Sequence, residues 1–432
     1  MNPGLVVKLR PAGPWRIGTD SGARNRVDAI YHSDSLYSAV ASAMARLGSL
    51  DQWLDATARN GASAVCFSSC FPFLDEIDFV VPPRTIWPPT SPALLSARVR
   101  WKSARFVPLK VVQAMLAGEA LDGNQWSLDG ASECLVPAGR PGPFRTGVRW
   151  SAAVDRLTGA AERHSTGCIE FRPGAGLWTI VSFQDEAAHT RWLEPIKAAF
   201  RLLADTGFGG ERSRGWGRSE PPEFSEGTLP EAILGPRGQD GGRGPGAGGQ
   251  NGGQGPGAGG QGVEPSVELS LLEAPQESAP AEFEVPIAAA SVTALAPLAL
   301  GLWPAAPDEP PVVESAPPAP EVPISAEPVT ERTPPAPNHH WLLSLFTPAP
   351  DDSVDWGRGN YAVLARGGRV DSPAGSGELK KEIQMVAEGS VLCAAAPPRG
   401  SAADVAPEGF AHPVFRAGFA LSVPLRGATE VS

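Results

Sequence analysis

The five cysteines of this 432-residue sequence form no pattern that defines a metal site or a disulfide framework. Their number is odd, they are scattered along the chain, and no C-x-x-C pair occurs. We therefore interpret them as buried thiols in a reducing cytosol. The N-terminal segment also lacks the apolar run of a signal peptide, so the expected location is cytoplasmic.

Patterns of catalytic residues are missing as well. The six histidines show no metal-ligand spacing, and the globular regions contain no His-Asp pair or carboxylate cluster, which disfavours a metal-dependent nuclease. No Gly-Lys-Ser/Thr sequence of a nucleotide-binding loop is present. We expect no metal, no cofactor and no catalytic residue.

A long uncharged run rich in apolar residues extends from Val285 to Pro307, and three prolines interrupt it. Its length would suit a membrane span, but the flanking residues are acidic rather than basic. A short segment that docks on a partner is an alternative, and a plain linker is the favoured interpretation. No membrane partner is expected.

Residues 229–337 differ in composition from the rest of the chain. They contain 14 acidic and 3 basic residues, which accounts for the whole formal net charge of -11. The sequence GPGAGGQ occurs at 244–250 and again at 255–261, followed by a stretch rich in proline, alanine and glutamate. We predict a long disordered Gly/Pro-rich linker between globular domains at 1–228 and 338–432. Because the domains together are neutral, a nucleic-acid site there has to be a local basic patch.

The first domain begins with a predicted strand at 5–9 and a helix that starts near Ser33 and runs to about Leu47. Apolar residues recur at helical spacing along it, and Ser33 is a plausible N-cap. Apolar segments at 168–171 and 177–183 flank Pro-Gly-Ala-Gly, which predicts a β-hairpin. A second helix follows at 186–205.

A last short strand completes the order strand, helix, two strands, helix, strand, which is typical of a ferredoxin-like α+β fold. Residues 80–165 are then a large insertion. In the last domain, four segments favour strands and no helical stripe is visible, which suggests a reduced second domain of related fold. The strand segments are 341–346, 361–366, 391–392 and 419–423.

The segment with the most distinctive chemistry is GFGGERSRGWGR, at residues 207–218. Its five glycines permit positive φ and unshielded backbone N–H groups, and its three arginines suit phosphate oxygens. Phe208 and Trp216 offer surfaces for base stacking. The segment follows a helix, unlike a nucleotide-binding loop. A glycine-bearing turn with incidental arginines is the alternative.

This segment resembles the Gly-rich signature of RAMP proteins, the repeat-associated RNA-binding proteins of CRISPR systems. The N-terminal segments 15–18, 31–40 and 67–74, with 380–390 and 412–418 in the last domain, resemble the subunit that caps the 5′ tag of the guide RNA in type III-A (Csm) complexes. The type III-B and III-D versions remain alternatives. The resemblance covers about three quarters of the chain, and the long linker departs from it.

The resemblance implies two ferredoxin-like (RRM-like) RAMP domains and a non-catalytic RNA-binding subunit of a hetero-oligomeric antiviral ribonucleoprotein. The implied partners are crRNA, the large polymerase-like subunit and the backbone RAMP subunits. In the implied RNA site, Arg16, His32 and Ser35 flank the groove for the tag, and Arg145 and Arg149 lead into a β-hairpin near the guide. The loop residues that match the family are Gly207, Gly209, Gly210, Arg212, Ser213, Arg214, Gly215 and Gly217, and the chemistry of the segment adds Trp216 and Arg218 to the expected site.

Two further features allow more than one interpretation. Residues 79–118 contain six basic residues, no acid and interleaved aromatics, which suit either RNA contact or a solvated loop. His32 would be the general base if the protein were a guide-processing endoribonuclease, although a structural role is favoured. A scaffold that binds only proteins is the third function considered.

Overall fold

The computed structural model describes residues 2–18, 23–61, 63–89, 94, 100–234, 338–372 and 375–425. Of the predicted linker at 229–337, residues 235–337, including the uncharged run at 285–307, lie outside the described residues. The described residues before and after it belong to one compact unit. We call residues 2–234 the N-terminal block and residues 338–425 the C-terminal block.

The unit combines helices with several antiparallel sheets, which confirms the prediction of a mixed helix and sheet architecture. The helices are α1 (Ser33–Arg46), α2 (Leu50–Leu54), α3 (Leu109–Ala117), α4 (Glu186–Thr206) and α5 (Glu231–Leu234). The strands of the N-terminal block are β1 (Asn2–Leu9), β2 (Val65–Phe67), β3 (Phe71–Leu74), β4 (Ile77–Val80), β5 (Val107–Pro108), β6 (Trp126–Asp129), β7 (Cys134–Pro137), β8 (Phe144–Val154), β9 (Ala161–Phe171), β10 (Ala175–Phe183) and β11 (Glu223–Leu229).

The main sheet has the strand order β11-β1-β10-β3-β4-β5, and β2 also pairs with β10. Strand β1 is central, with Leu5, Val7 and Leu9 fully buried, and it pairs antiparallel with β10 and β11. Helices α1 and α4 pack against each other and bury apolar side chains toward the sheet. Both helices were predicted, to within one residue at the C-terminal end.

The start of α1 differs from the prediction. The helix begins at Ser33 itself, and His32 occupies the N-cap position without a side-chain capping bond. The Ser33 hydroxyl instead accepts a hydrogen bond of 3.0 Å from the backbone N–H of Leu345 in the C-terminal block. A distant segment of the chain therefore uses the hydroxyl that the sequence assigned to local capping.

The hairpin predicted from the segments around 168–183 is also wrong. The two strands exist, but β9 pairs with β8 over eleven residues, whereas β10 lies inside the main sheet between β1 and the pair β2 and β3. The turn at residues 172–174 thus connects two different sheets. Strand β10 is almost continuously apolar, because both of its faces are buried.

All regular elements described in the C-terminal block are strands. They are β12 (Asn338–Leu342), β13 (Val354–Asn360), β14 (Val363–Arg366), β15 (Arg369–Ser372), β16 (Gly375–Leu379), β17 (Ile383–Val386), β18 (Val391–Ala394), β19 (Gly400–Asp404), β20 (Phe415–Phe419) and β21 (Ser422–Leu425). The order β13-β18-β12-β21 forms a four-stranded sheet, and the others form pairs. Trp341, Leu343 and Phe419 belong to the same hydrophobic core as β1 and α1.

Among the helices of the described residues, none is long and apolar enough to cross a membrane.

Candidate nucleic-acid interface

The Gly-rich loop folds back onto the N-terminal segment. The N–H groups of Gly217 and Gly210 donate to the carbonyl oxygens of Pro14 and Arg16, at 3.0 Å and 2.8 Å. Gly217 has φ +79°, and a Cβ there would overlap the carbonyl oxygen of Phe208. At Gly209, with φ +70°, a Cβ would overlap the carbonyl oxygen of Arg16. Glycine is therefore required here by close backbone packing.

This packing contradicts the prediction that the glycines leave backbone N–H groups of the loop unshielded. The N–H group of Gly207 donates to the carbonyl oxygen of Leu203 in α4, at 2.8 Å, and that of Gly215 donates to the carbonyl oxygen of Arg212 within the loop, at 2.9 Å. Together with Gly210 and Gly217, four of the loop glycines use their amides inside the protein. The glycines shape the loop, and its side chains are left to bind a ligand.

The side chains of the loop divide into a buried and an exposed set. Phe208 is 1 % exposed and stacks on Trp15, with ring centroids 5.1 Å apart and planes inclined by 15°. The predicted stacking of a base on Phe208 is therefore wrong, because the ring belongs to the core. Ser213, Arg214 and Arg218 are exposed, while Arg212 and Trp216 are half-buried. Arg212 to Arg214 form a single 3-10 turn that orients these side chains.

The hairpin of β8 and β9 brings the second predicted group of arginines to the loop. The guanidinium of Arg149 lies 5.9 Å from the centre of the Trp216 ring. On β9, the imidazole Nε2 of His164 lies 3.4 Å from Nη2 of Arg214. Residues about 60 positions apart in the sequence thus form one surface. We call Arg145, Arg149, His164, Arg214 and Trp216 the loop–hairpin surface.

Glu170 organises the base of this surface. Its carboxylate accepts hydrogen bonds from Arg145 and Arg149, at 2.9 Å from Nη2 of each. Bonds from Arg149 and Arg145 lower the pKa of Glu170. Two guanidinium groups share one carboxylate, so positive charge remains for a phosphate. A cleft of about 610 Å³ lies beside them, between the hairpin and Pro11–Pro14.

The outer half of the hairpin exposes apolar side chains that the sequence interpretation did not single out. Trp150 is 64 % exposed and Leu157, at the turn, is 95 % exposed. The guanidinium of Arg163 lies 5.1 Å from the centre of the Trp150 ring. The signal that could have revealed them is the pair of eleven-residue strands around Asp155, whose tip is too far from the core to be buried.

Arg16 lies beside the loop, and its side chain is half-buried. Its guanidinium donates to the carbonyl oxygens of Arg24 and Ala23, and its backbone forms a bridge with Gly210. Arg16 therefore holds the Gly-rich loop in place through its backbone contact with Gly210.

His32 and Ser35 lie in a buried junction between the two blocks. His32 is 3 % exposed, with Nδ1 2.7 Å from Glu388 and Nε2 3.1 Å from Asp28. Burial opposes its charged form, but the carboxylates of Glu388 and Asp28 outweigh it and raise the pKa of His32 to about 9. The Ser35 hydroxyl accepts a bond of 3.1 Å from Arg366. This geometry argues against the predicted RNA contacts, and we leave both residues out of the interface that we propose.

In the basic stretch at 79–118, the aromatic residues that the sequence suggested for RNA contact are largely buried. Trp87 and Trp101 stack on each other with centroids 6.0 Å apart, and Trp101 and Phe106 are fully buried. Arg105 forms an ion pair of 2.9 Å with Asp28. The aromatic side chains of this stretch therefore pack the insertion against the core. Arg98 lies outside the described residues.

No cluster of three or more His, Cys, Asp or Glu side chains in the described part of the chain is placed to hold a metal ion.

Comparison with known proteins finds chains with a similar fold. The architecture is similar to a chain of the Csm3–Csm4 subcomplex of the type III-A CRISPR-Cas interference complex, with a TM-score of 0.51 and 13% identity over 98% of this chain and 100% of that chain. A chain of the Csm1–Csm4 cassette in complex with cA4 matches at 13% identity with a TM-score of 0.47, covering 98% of each chain. No curated protein sequence matches.

The mixed α/β architecture with several antiparallel sheets is consistent with the RAMP fold. Residues 336–425 match the family described as the CRISPR Csm4 C-terminal domain. The family match over residues 336–425 and the shared fold make this chain similar to Csm4.

Proposed function

We propose that the chain is the non-catalytic subunit that holds the repeat-derived 5′ tag of the crRNA in a type III-A complex. The observation that carries this proposal is the loop–hairpin surface, where Arg149 lies over the Trp216 ring, Arg214 lies beside His164, and Arg145 and Arg149 line a cleft. Guanidinium groups bind phosphates, and aromatic and guanidinium planes stack on unpaired bases. The proposed site consists of the loop residues Arg212–Arg218 with Arg145, Arg149 and His164 of the hairpin.

We propose further that the chain bridges the large polymerase-like subunit and the backbone filament. The similar solved structures are described as Csm1–Csm4 and Csm3–Csm4 complexes, which supports this arrangement. Two ferredoxin-like domains are part of the same proposal. In the N-terminal block, the order β11-β1-β10-β2, with helices α1 and α4 in the two crossovers, supports the first domain.

A guide-processing endoribonuclease would need His32 at the scissile phosphate. The two carboxylates on its ring nitrogens and its burial argue against that role. Cleavage of a repeat-bearing RNA by the purified protein, lost in His32→Ala, would instead establish an enzyme.

The proposal is tested by the affinity of the purified protein for an RNA that carries the tag, measured by fluorescence anisotropy at several salt concentrations. We expect Arg145→Ala, Arg149→Ala and Arg214→Ala, combined, to weaken binding and to reduce the slope of log K against log salt by about 2, since each phosphate contact contributes about 0.7 on single strands. Arg59→Ala with Arg399→Ala removes two exposed, ion-paired arginines elsewhere and is the control. An unchanged slope in the triple variant would favour a scaffold that binds only proteins.

A further inference from the structure

The junction between the two blocks contains a buried carboxylate from one block and two guanidinium groups from the other. Asp34, at the start of α1, is 1 % exposed. Its two oxygens accept hydrogen bonds of 3.0 Å from Nε and Nη2 of Arg366, and a further bond comes from Arg416. Burial alone would raise the pKa of Asp34, but Arg366 and Arg416 hold it well below its usual range. The carboxylate is therefore ionised and paired across the junction.

A second ion pair of opposite polarity lies two residues away. Here the N-terminal block supplies the cation, His32, and the C-terminal block supplies the buried carboxylate of Glu388, at 2.7 Å. The hydroxyl of Ser69 also donates to Glu388. At the start of α1, the N-terminal block thus supplies the cation of one pair and the anion of the next, and the C-terminal block supplies the opposite charge each time. A shifted pairing would place like charges together in a buried site, at a high free-energy cost.

Apolar and backbone contacts complete the junction. The Tyr37 and Phe419 rings meet edge to face with centroids 5.8 Å apart. The Trp341 indole N–H donates to the carbonyl oxygen of Val81 at 3.1 Å, and the N–H of Ser69 donates to that of Leu343 at 2.9 Å. The interface therefore has the buried apolar core and the cross-junction hydrogen bonds of a stable protein–protein contact, although Nε of Arg416 is buried without a hydrogen-bond partner among the described residues.

We propose that this junction is a self-sufficient protein–protein interface, so that residues 338–425 bind the N-terminal block as a separate chain would. The covalent connection through 235–337 then only keeps the two blocks in one chain, whereas the buried charges determine how the blocks pack on each other. The inference is independent of RNA binding.

The test uses the full-length protein with a recognition sequence for a specific protease inserted between Gly252 and Gly253. After complete cleavage, size-exclusion chromatography at about micromolar concentration shows whether the fragments stay together. We expect one species that contains both fragments. Elution of the two fragments as separate species would overturn the proposal.

Variants distinguish specific pairing from general adhesion. Asp34→Asn leaves Arg366 and Arg416 without their buried counter-charge, and we expect the fragments to dissociate at least tenfold more readily. Asp51→Asn makes the same change at an exposed ion pair, between Asp51 on α2 and Arg59 after it, and we expect no effect. Because Asp34→Asn could perturb folding, Glu388→Gln tests the opposite side of the junction. Fragments that remain as tightly bound in both junction variants as in the Asp51→Asn control would contradict the role of the charges.

Discussion

His32 carries its charge inside the protein, because two carboxylates contact its ring. With a pKa raised from 6.5 to about 9, the folded state binds a proton that the unfolded state releases. The stabilisation from His32 is therefore complete below about pH 6.5 and is lost as the pH rises through about 9. Asp28, Glu388 and Arg366 are the charged groups that face it.

The prediction concerns the difference in free energy of unfolding between the wild type and His32→Gln. Comparing the two removes the contributions of other groups that titrate in the same range. We expect this difference to be largest near pH 6.5 and to shrink toward pH 9, in chemical denaturation measured at several pH values. A difference that stays constant over that range would show that the imidazole is not charged in the junction.

Glycine positions in the loop predict unequal effects of the same substitution. Gly217→Ala combines a positive φ with overlap on the Phe208 carbonyl, so the loop has to move. We expect a loss of about 1–3 kcal/mol in the free energy of unfolding and weaker RNA binding. Gly215 also has φ +79°, but no atom lies within 4 Å of its Cβ position. Gly215→Ala is the matched control, and thermal unfolding should show the smaller loss for it.

At the scale of elements, the hairpin of β8 and β9 extends exposed aromatic and apolar side chains away from the core. We expect Trp150→Ala to change the free energy of unfolding by less than about 0.5 kcal/mol, because the ring is exposed. If the ring stacks on a base, the same variant should lose about 1–3 kcal/mol of RNA affinity. Trp356→Ala, in the C-terminal block, removes another partly exposed indole and serves as the control. Equal RNA affinity of the two variants would show that the tip of the hairpin does not contact the RNA.

Sequence patterns predicted those elements whose packing is local. Helices α1 and α4 follow from apolar residues at helical spacing, and β1 follows from a short apolar run. The partner of β10 could not be predicted, because Pro-Gly-Ala-Gly suits a hairpin equally well when its strands join different sheets. The role of Ser33 was missed for a related reason: its hydroxyl contacts Leu345, which no local rule connects to it.

At the scale of the whole molecule, the sequence suggested two globular domains joined by a linker, with boundaries near 228 and 338 that remain predictions. The contact between the blocks was not foreseen, since periodicity shows which face of an element is apolar but not what covers it. The motif at 31–40 illustrates the consequence. By resemblance, His32 and Ser35 in this motif were expected to flank the RNA groove, whereas the structure uses His32 and Asp34 to join the blocks. The loop and the hairpin arginines, by contrast, were predicted separately and lie side by side.

The most direct measurement of the central claim is co-purification of the tagged protein expressed with its genomic neighbours, followed by sequencing of the bound RNA. We predict recovery of a large polymerase-like subunit, backbone subunits and RNAs that share one repeat-derived 5′ end. The variant with alanine at Arg145, Arg149 and Arg214 should recover the same proteins with less of that RNA. Recovery of the wild-type protein without any enriched RNA would contradict the proposal that it holds the crRNA tag.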